Sequence, residues 1–219
     1  MVIDMKNKVI ENVLNEKLIV IVRGVKTEDL IPFADAVYEG GVRLLEITYS
    51  ATGAIPDEQT ASQIKMLKDH FGDKMNIGAG TVIRENQVEL TAKAGGEFII
   101  SPDTNPDIIK KTNELGLVSI PGALTPTEIQ CASVAGADFV KLFPVSTFGP
   151  EYIKAVSAPL SHVRLLAVGG VTDENIGEYL KAGACGFGIG SSIVNKKLID
   201  AKDYSAITEI AKKYCDACK

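Results

Sequence analysis

The chain contains no tryptophan and only two histidines, His70 and His162. Histidine-centred metal sites and Ser/His/Asp triads therefore have little to be built from. His70 closes a helical pattern and His162 precedes a strand pattern, so both are expected on the surface. No cluster of histidines and carboxylates offers metal ligation, and neither a metal nor an organic cofactor is expected. No apolar run approaches the ~18 residues of a membrane span. The N-terminal stretch carries Asp4, Lys6, Lys8, Glu11, Glu16 and Lys17, which argues against a signal peptide. No Pro/Gly/Ser-rich linker or charge run divides the sequence, so a single unit over residues 1–219 is expected. A basic surplus is also missing. The net charge of -5 argues against nucleic-acid binding but leaves room for an anionic metabolite at a local site.

Cysteine is sparse. Cys131, Cys185, Cys215 and Cys218 follow no framework spacing, so reduced thiols and a cytoplasmic location are expected. Cys215 and Cys218 form a lone C-x-x-C. One such pair cannot complete a four-ligand zinc site, and a redox role needs a βα context that this stretch lacks. Exposed tail thiols are the expectation.

What is present is ordinary globular material, 46% hydrophobic and 23% charged. Ile10, Val13 and Leu14 suggest an amphipathic N-terminal helix laid on the body of the fold. From Leu18 onward one signal recurs: helix, glycine, strand. The glycines are Gly40, Gly95, Gly116, Gly136 and Gly183, suited to left-handed helix caps. Expected strands cover Leu18–Val22, Val42–Ile47, a short third strand with its exit loop within Asn76–Thr81, then Glu97–Ile100, Leu117–Ile120, Phe139–Phe143, Val163–Val168 and Ala184–Ile189. The fifth is broken by Pro121-Gly122, and Thr125 with Glu128 forms a capping box around Pro126. Eight strand–helix units imply an α/β fold, a single (β/α)8 TIM barrel with an extra N-terminal helix. A solenoid lacks its leucine-rich pattern here. A doubly wound sheet lacks its Gly-rich first turn, since Arg23-Gly24-Val25-Lys26 follows the first strand.

In a barrel the chemistry sits at the C-terminal ends of the strands. Those ends carry Arg23, Glu46 with Thr48, Thr81, Ser101-Pro102, Pro121, Lys141, Val168 and Gly190-Ser191. Lys141 stands out, because Phe139, Val140, Leu142 and Phe143 make its strand apolar on both faces. An ammonium there must find a partner or lose its proton. Lowering its pKa by about three units from ~10.4 takes roughly 4 kcal/mol, which burial can supply. The neutral amine would be a nucleophile toward ketones; the other outcome is a structural ion pair. Alternation along Val42, Leu44 and Glu46 turns Glu46 inward, as proton shuttle or as ion-pair partner. The turns Gly169-Gly170 and Gly190-Ser191 follow the last two strands, where barrels often bind phosphate through backbone N–H groups. Gly78-Ala79-Gly80 lacks the third glycine of a dinucleotide fingerprint. The planar fork of Arg23 suits a carboxylate or phosphate.

Together these segments resemble the 2-keto-3-deoxy-6-phosphogluconate (KDPG) and 4-hydroxy-2-oxoglutarate (KHG) aldolase family. The resemblance is carried by Leu45-Glu46-Ile47-Thr48, Gly78-Ala79-Gly80-Thr81-Val82, Ile100-Ser101-Pro102, Ile120-Pro121-Gly122, Val140-Lys141-Leu142-Phe143-Pro144 and Gly169-Gly170-Val171. It covers essentially the whole chain, in family order. It implies a homotrimer of barrels that cleaves a phosphorylated keto acid to pyruvate and glyceraldehyde 3-phosphate. Lys141 would be the Schiff-base residue and Glu46 the general acid/base. Thr81 and Pro102 would line the pyruvate end, and Gly169, Gly170, Gly190 and Ser191 would hold the phosphate. Two positions depart from the gluconate type: Ser50 replaces an arginine and Val168 a threonine. Ala167-Val168-Gly169-Gly170 looks more like the 6-phosphogalactonate aldolases. Two other functions fit the same residues: a phosphate-binding barrel isomerase or epimerase, and a barrel that binds phosphorylated metabolites without chemistry.

Overall fold

Short runs of Val, Ile and Leu, each followed by an amphipathic helix, can bury both faces only as a parallel sheet covered by helices. The computed structural model describes residues 2–219, with side chains from residue 5 on. Helix α1 (Val2–Glu16) leads into β1 (Leu18–Val22), α2 (Thr27–Glu39), β2 (Leu44–Thr48), α3 (Asp57–Phe71) and β3 (Asn76–Gly80). Then come α4 (Glu85–Lys93), β4 (Phe98–Ile100), α5 (Pro106–Glu114), β5 (Val118–Ile120), β6 (Gly122–Ala123) and α6 (Pro126–Val134). The remainder is β7 (Val140–Leu142), a 3-10 turn (Val145–Thr147), α7 (Gly149–Ser157), β8 (Leu165–Val168), α8 (Ile176–Lys181), β9 (Gly186–Ile189), α9 (Lys196–Asp200) and α10 (Tyr204–Ala217).

All strand pairs are parallel, in the order β5-β4-β3-β2-β1-β9-β8-β7-β6. Strands β5 and β6 are two halves of one stave, interrupted at Pro121, which has no N–H to give to a ladder. The chain itself thus closes the ring, and the fold is the expected barrel. The capping box at Thr125 and Glu128 forms as expected, with both side chains bonded across the helix start. Short α9 was not anticipated; it is capped by Asn195, which accepts from the Lys197 and Leu198 amides.

Two apolar layers result. Ile19, Leu44, Phe98, Ile100, Val118, Ile120, Phe139 and Leu166 fill the barrel interior, and Val9 and Val13 of α1 belong to the same cluster. Helix α1 is therefore a plug in the N-terminal end of the barrel, not a strut along its flank. Lys6 anchors it to Asp138 at 2.9 Å, just before β7, and Asn12 to Asn76 at 2.8 Å, at the start of β3. The second layer lies between strands and helices and holds Val20, Leu45, Ile47, Ile77, Val140 and Leu142, with Phe33 and Ile64 from α2 and α3. Val42 belongs to this outer layer and precedes β2, so it does not share the inward face of Leu44 and Glu46.

The tail thiols are not exposed. Helix α10 carries Cys215, partly buried, and ends at Ala217, where Cys218, 2% exposed, is its C-cap. Burial pushes the Cys215 thiol up to about 11 and the Cys218 thiol up to about 12. Such thiols are poor nucleophiles and poor redox groups. The two histidines are at the surface as expected, His70 bonded to Asp35 at 2.8 Å.

Candidate active site

The ladder places Lys141 on β7 beside Gly122 of β6 and Leu166 of β8. Its amide donates to the Pro121 carbonyl at 2.9 Å, which fixes the backbone under the side chain. Phe139 in the inner layer and Val140 and Leu142 in the outer one make the strand apolar on both faces, as expected. Phe143 differs: it is 43% exposed, and its ring centroid lies 5.1 Å from the Lys141 nitrogen. Among the described residues, no hydrogen bond or ion pair holds the Lys141 amine. Burial lowers its pKa below the ordinary 10.5, the Glu46 charge opposes that shift, and the Arg23 charge adds to it.

Glu46 lies on β2, in register with Ile21 of β1 and Gly78 of β3, and is 1% exposed. It points inward, above Leu44. The side chain leans along the strand toward the mouth, so its carboxylate rests on Gly80, two residues further up β3. Its Oε2 is buried and has no hydrogen-bond partner among the described residues. Burial raises its pKa above the usual carboxylate range, against the pull of Lys141 and Arg23. The amine and the carboxyl are near enough to feel each other's charge, yet neither is tied up. Both shifts favour uncharged forms, a free amine and a proton-carrying acid.

Arg23 stands exposed at the end of β1, and its Nη2 donates to Thr81 Oγ1 at 2.9 Å. This spans the mouth from β1 to β3. Thr81 has φ +57°, in the left-handed region that a β-branched side chain rarely adopts. Strain of this kind concentrates at functional sites. Thr48 Oγ1 donates to the Val22 carbonyl at 3.2 Å and braces β2 against β1. Pro102 is exposed at the end of β4, and its carbonyl oxygen lies where a side chain on Gly122 would start.

Gly169 and Gly170 end β8 with φ +93° and +79°, beside the Gly190-Ser191 turn that ends β9. Asn175 clamps the first turn by donating to the Gly170 carbonyl and accepting from the Thr172 amide. Ser146 packs on Gly170, and its amide donates to the Gly169 carbonyl at 3.0 Å. The structure thus brings Arg23, Glu46, Thr81 and Lys141 to one mouth, with the glycine turns on the same rim. The approach of Phe143 to the lysine and the slot at Gly80 were not legible beforehand. Phe143 sits next to the lysine in the apolar run, and its outward turn after β7 has no local signal. The hollow between α7 and α8, about 360 Å³, is lined by Pro150, Glu151, Lys154, Glu178 and Lys181 and lies away from this mouth.

Fold and site together define a class, an α/β-barrel enzyme with its reactive groups at the C-terminal ends of the strands. Comparison with known proteins narrows it. The profile of the KDPG and KHG aldolases matches residues 9–210. The 2-dehydro-3-deoxy-6-phosphogalactonate aldolase of Escherichia coli is 38% identical over 177 residues, 80% of this chain and 83% of the relative. The 2-dehydro-3-deoxy-phosphogluconate aldolase of Haemophilus influenzae is 31% identical over 216 residues, 97% of each chain. A solved KDPG aldolase from Legionella pneumophila, with pyruvate captured as a covalent carbinolamine, superposes with TM-score 0.81 at 29% identity, over 90% of this chain and 93% of that one. The chain belongs to the KDPG and KHG aldolase family and is a lyase of the pyruvate-dependent aldolase type.

Proposed function

We propose that Lys141 is the Schiff-base residue of a class I aldolase and that Glu46 moves its protons. The observation that carries this is a lysine lodged in the barrel interior with no hydrogen-bond or ion-pair partner among the described residues, and a buried, unpartnered carboxyl at the same mouth. The amine attacks the C2 ketone of a 2-keto-3-deoxy-6-phospho sugar acid. Glu46 protonates the carbinolamine hydroxyl, which leaves as water, and the iminium becomes an electron sink. The C3–C4 bond breaks as the C4 hydroxyl loses its proton, and glyceraldehyde 3-phosphate departs. The enamine takes a proton at C3, and hydrolysis returns the lysine and pyruvate. The Legionella protein, with pyruvate on it as a carbinolamine, is consistent with this order of events.

In this reading Arg23 and Thr81 receive the carboxylate end, and Pro102 walls the pyruvate side. The backbone of Gly169, Gly170, Gly190 and Ser191 holds the phosphate. The preferred substrate is the galactonate epimer. Val168, inward above Leu166 and 6% exposed, offers no hydroxyl where the gluconate type has threonine, so a substrate hydroxyl of the other epimer loses a partner. The greater identity to the galactonate enzyme agrees. Cleavage of 4-hydroxy-2-oxoglutarate to pyruvate and glyoxylate belongs to the same proposal, as do a homotrimeric assembly and a cytoplasmic location. No helix among the described residues is long and apolar enough to cross a membrane.

One experiment tests both halves. The protein is incubated with pyruvate and borohydride, and the retro-aldol rates on the two epimers are measured side by side. A mass increase confined to Lys141, a faster galactonate rate and insensitivity to EDTA are expected. An unmodified Lys141 would overturn the Schiff-base assignment, and a faster gluconate rate would overturn the epimer preference.

A further inference from the structure

Strand β3 carries two glycines on one face, Gly78 and Gly80, and neither has a left-handed φ. Backbone geometry therefore does not require glycine at either position, and glycine weakens a strand interior. Space does require it. A Cβ on Gly78 would lie 2.3 Å from the Phe98 ring. A Cβ on Gly80 would lie 1.5 Å from Glu46 Oε1 and 2.2 Å from its carboxyl carbon. The lower glycine makes room for the aromatic core of the barrel, and the upper one makes room for the acid.

We infer that Gly80 is a positioning residue for the reaction: its missing side chain is the slot that seats the Glu46 carboxylate at the barrel mouth. Glu46 has no hydrogen bond among the described residues to orient it, and its Oε2 is both buried and unpartnered. With no hydrogen bond to fix its direction, the side chain is placed largely by shape. Ladder pairing of Glu46 with Gly78 sets the root of the side chain, and the hollow over Gly80 sets its tip. That tip points away from the Phe98 layer and toward the mouth where Lys141 waits. A methyl group in the slot would displace the acid while leaving Lys141, Arg23 and the glycine turns in place.

The inference rests on Glu46 as the proton carrier, and its test separates the two. Gly80→Ala, Glu46→Asp, the double variant and Gly78→Ala are compared with the native protein. Two quantities are read: borohydride-trapped pyruvate adduct and exchange of the pyruvate methyl protons with deuterium oxide. Urea midpoints are recorded in parallel. In Gly80→Ala the exchange rate falls on the order of a hundredfold. Adding Glu46→Asp to Gly80→Ala raises the exchange rate, because the shorter acid clears the methyl group, whereas Glu46→Asp alone lowers it. The same reversal appears in the urea midpoints, so poor folding of Gly80→Ala leaves a readout through the double variant. Gly78→Ala loses stability with no rescue by Glu46→Asp. Native exchange in Gly80→Ala, or a double variant no better than Gly80→Ala in either readout, would overturn the assignment of Gly80. An undiminished exchange rate in Glu46→Asp would overturn the proton-carrier role and Gly80 with it.

Discussion

At Lys141 the energetics are a contest between solvation and charge. Desolvation and the positive charge of Arg23 push the amine toward its neutral form, and the Glu46 charge pulls the other way. A lowered pKa means the neutral amine is already populated at a pH where a lysine at 10.5 is almost fully protonated. The rate of adduct formation with pyruvate should therefore rise with pH and reach half its plateau below 10.5. Arg23→Gln removes a cation that disfavours the ammonium, so its midpoint should move to higher pH. Arg23 is exposed and solvent screens it, so the shift is expected to be small. The check is the pH profile of borohydride-trapped adduct for both proteins. An unmoved midpoint would reduce Arg23 to a substrate contact and a brace for Thr81.

Among the elements, α1 and the broken stave do most to shape the site. A barrel of this size has an interior with two ends, and its upper end is spent on polar groups. The lower end must then be sealed with apolar side chains, and Val9 and Val13 of α1 do so against Phe98, Phe139 and Leu44. Val13 is 1% exposed, so Val13→Ala should cost about 2 kcal/mol through lost burial and the residual cavity. Urea unfolding measures the loss. Turnover per folded molecule should hardly change, because the plug touches the end of the barrel away from Lys141. The break at Pro121 acts in the opposite sense. It ends pairing with β4, frees Gly122 and Ala123 to pair with β7, and lets the Pro102 carbonyl approach Gly122. The amide of Lys141 takes the Pro121 carbonyl in the same turn.

For the whole molecule, the trimer is the open prediction. Val134 and Phe148 are 77% and 47% exposed, large apolar side chains that the single chain leaves much of open to solvent. Sedimentation equilibrium should return three times the 23.3 kDa chain mass. A monomer mass at micromolar concentration would rule the trimer out. The barrel, the strand ends and the inward turn of Glu46 were all visible in the order of residues. Periodicity, helix-ending glycines and alternation are local rules, and a parallel barrel turns local rules directly into positions at one mouth. The meeting of Lys141 and Glu46 at one mouth was also foreseeable, because both were polar residues set in apolar strands. Contacts between segments distant in sequence could not be seen. Chain order cannot say that α1 turns under the barrel, that the last cysteines face the core, or that Phe143 swings out beside the amine. Nor could it say what Gly80 makes room for, since a glycine's purpose is the atom that fills its empty space. That atom comes from another strand, and only the register between β2 and β3 puts it there.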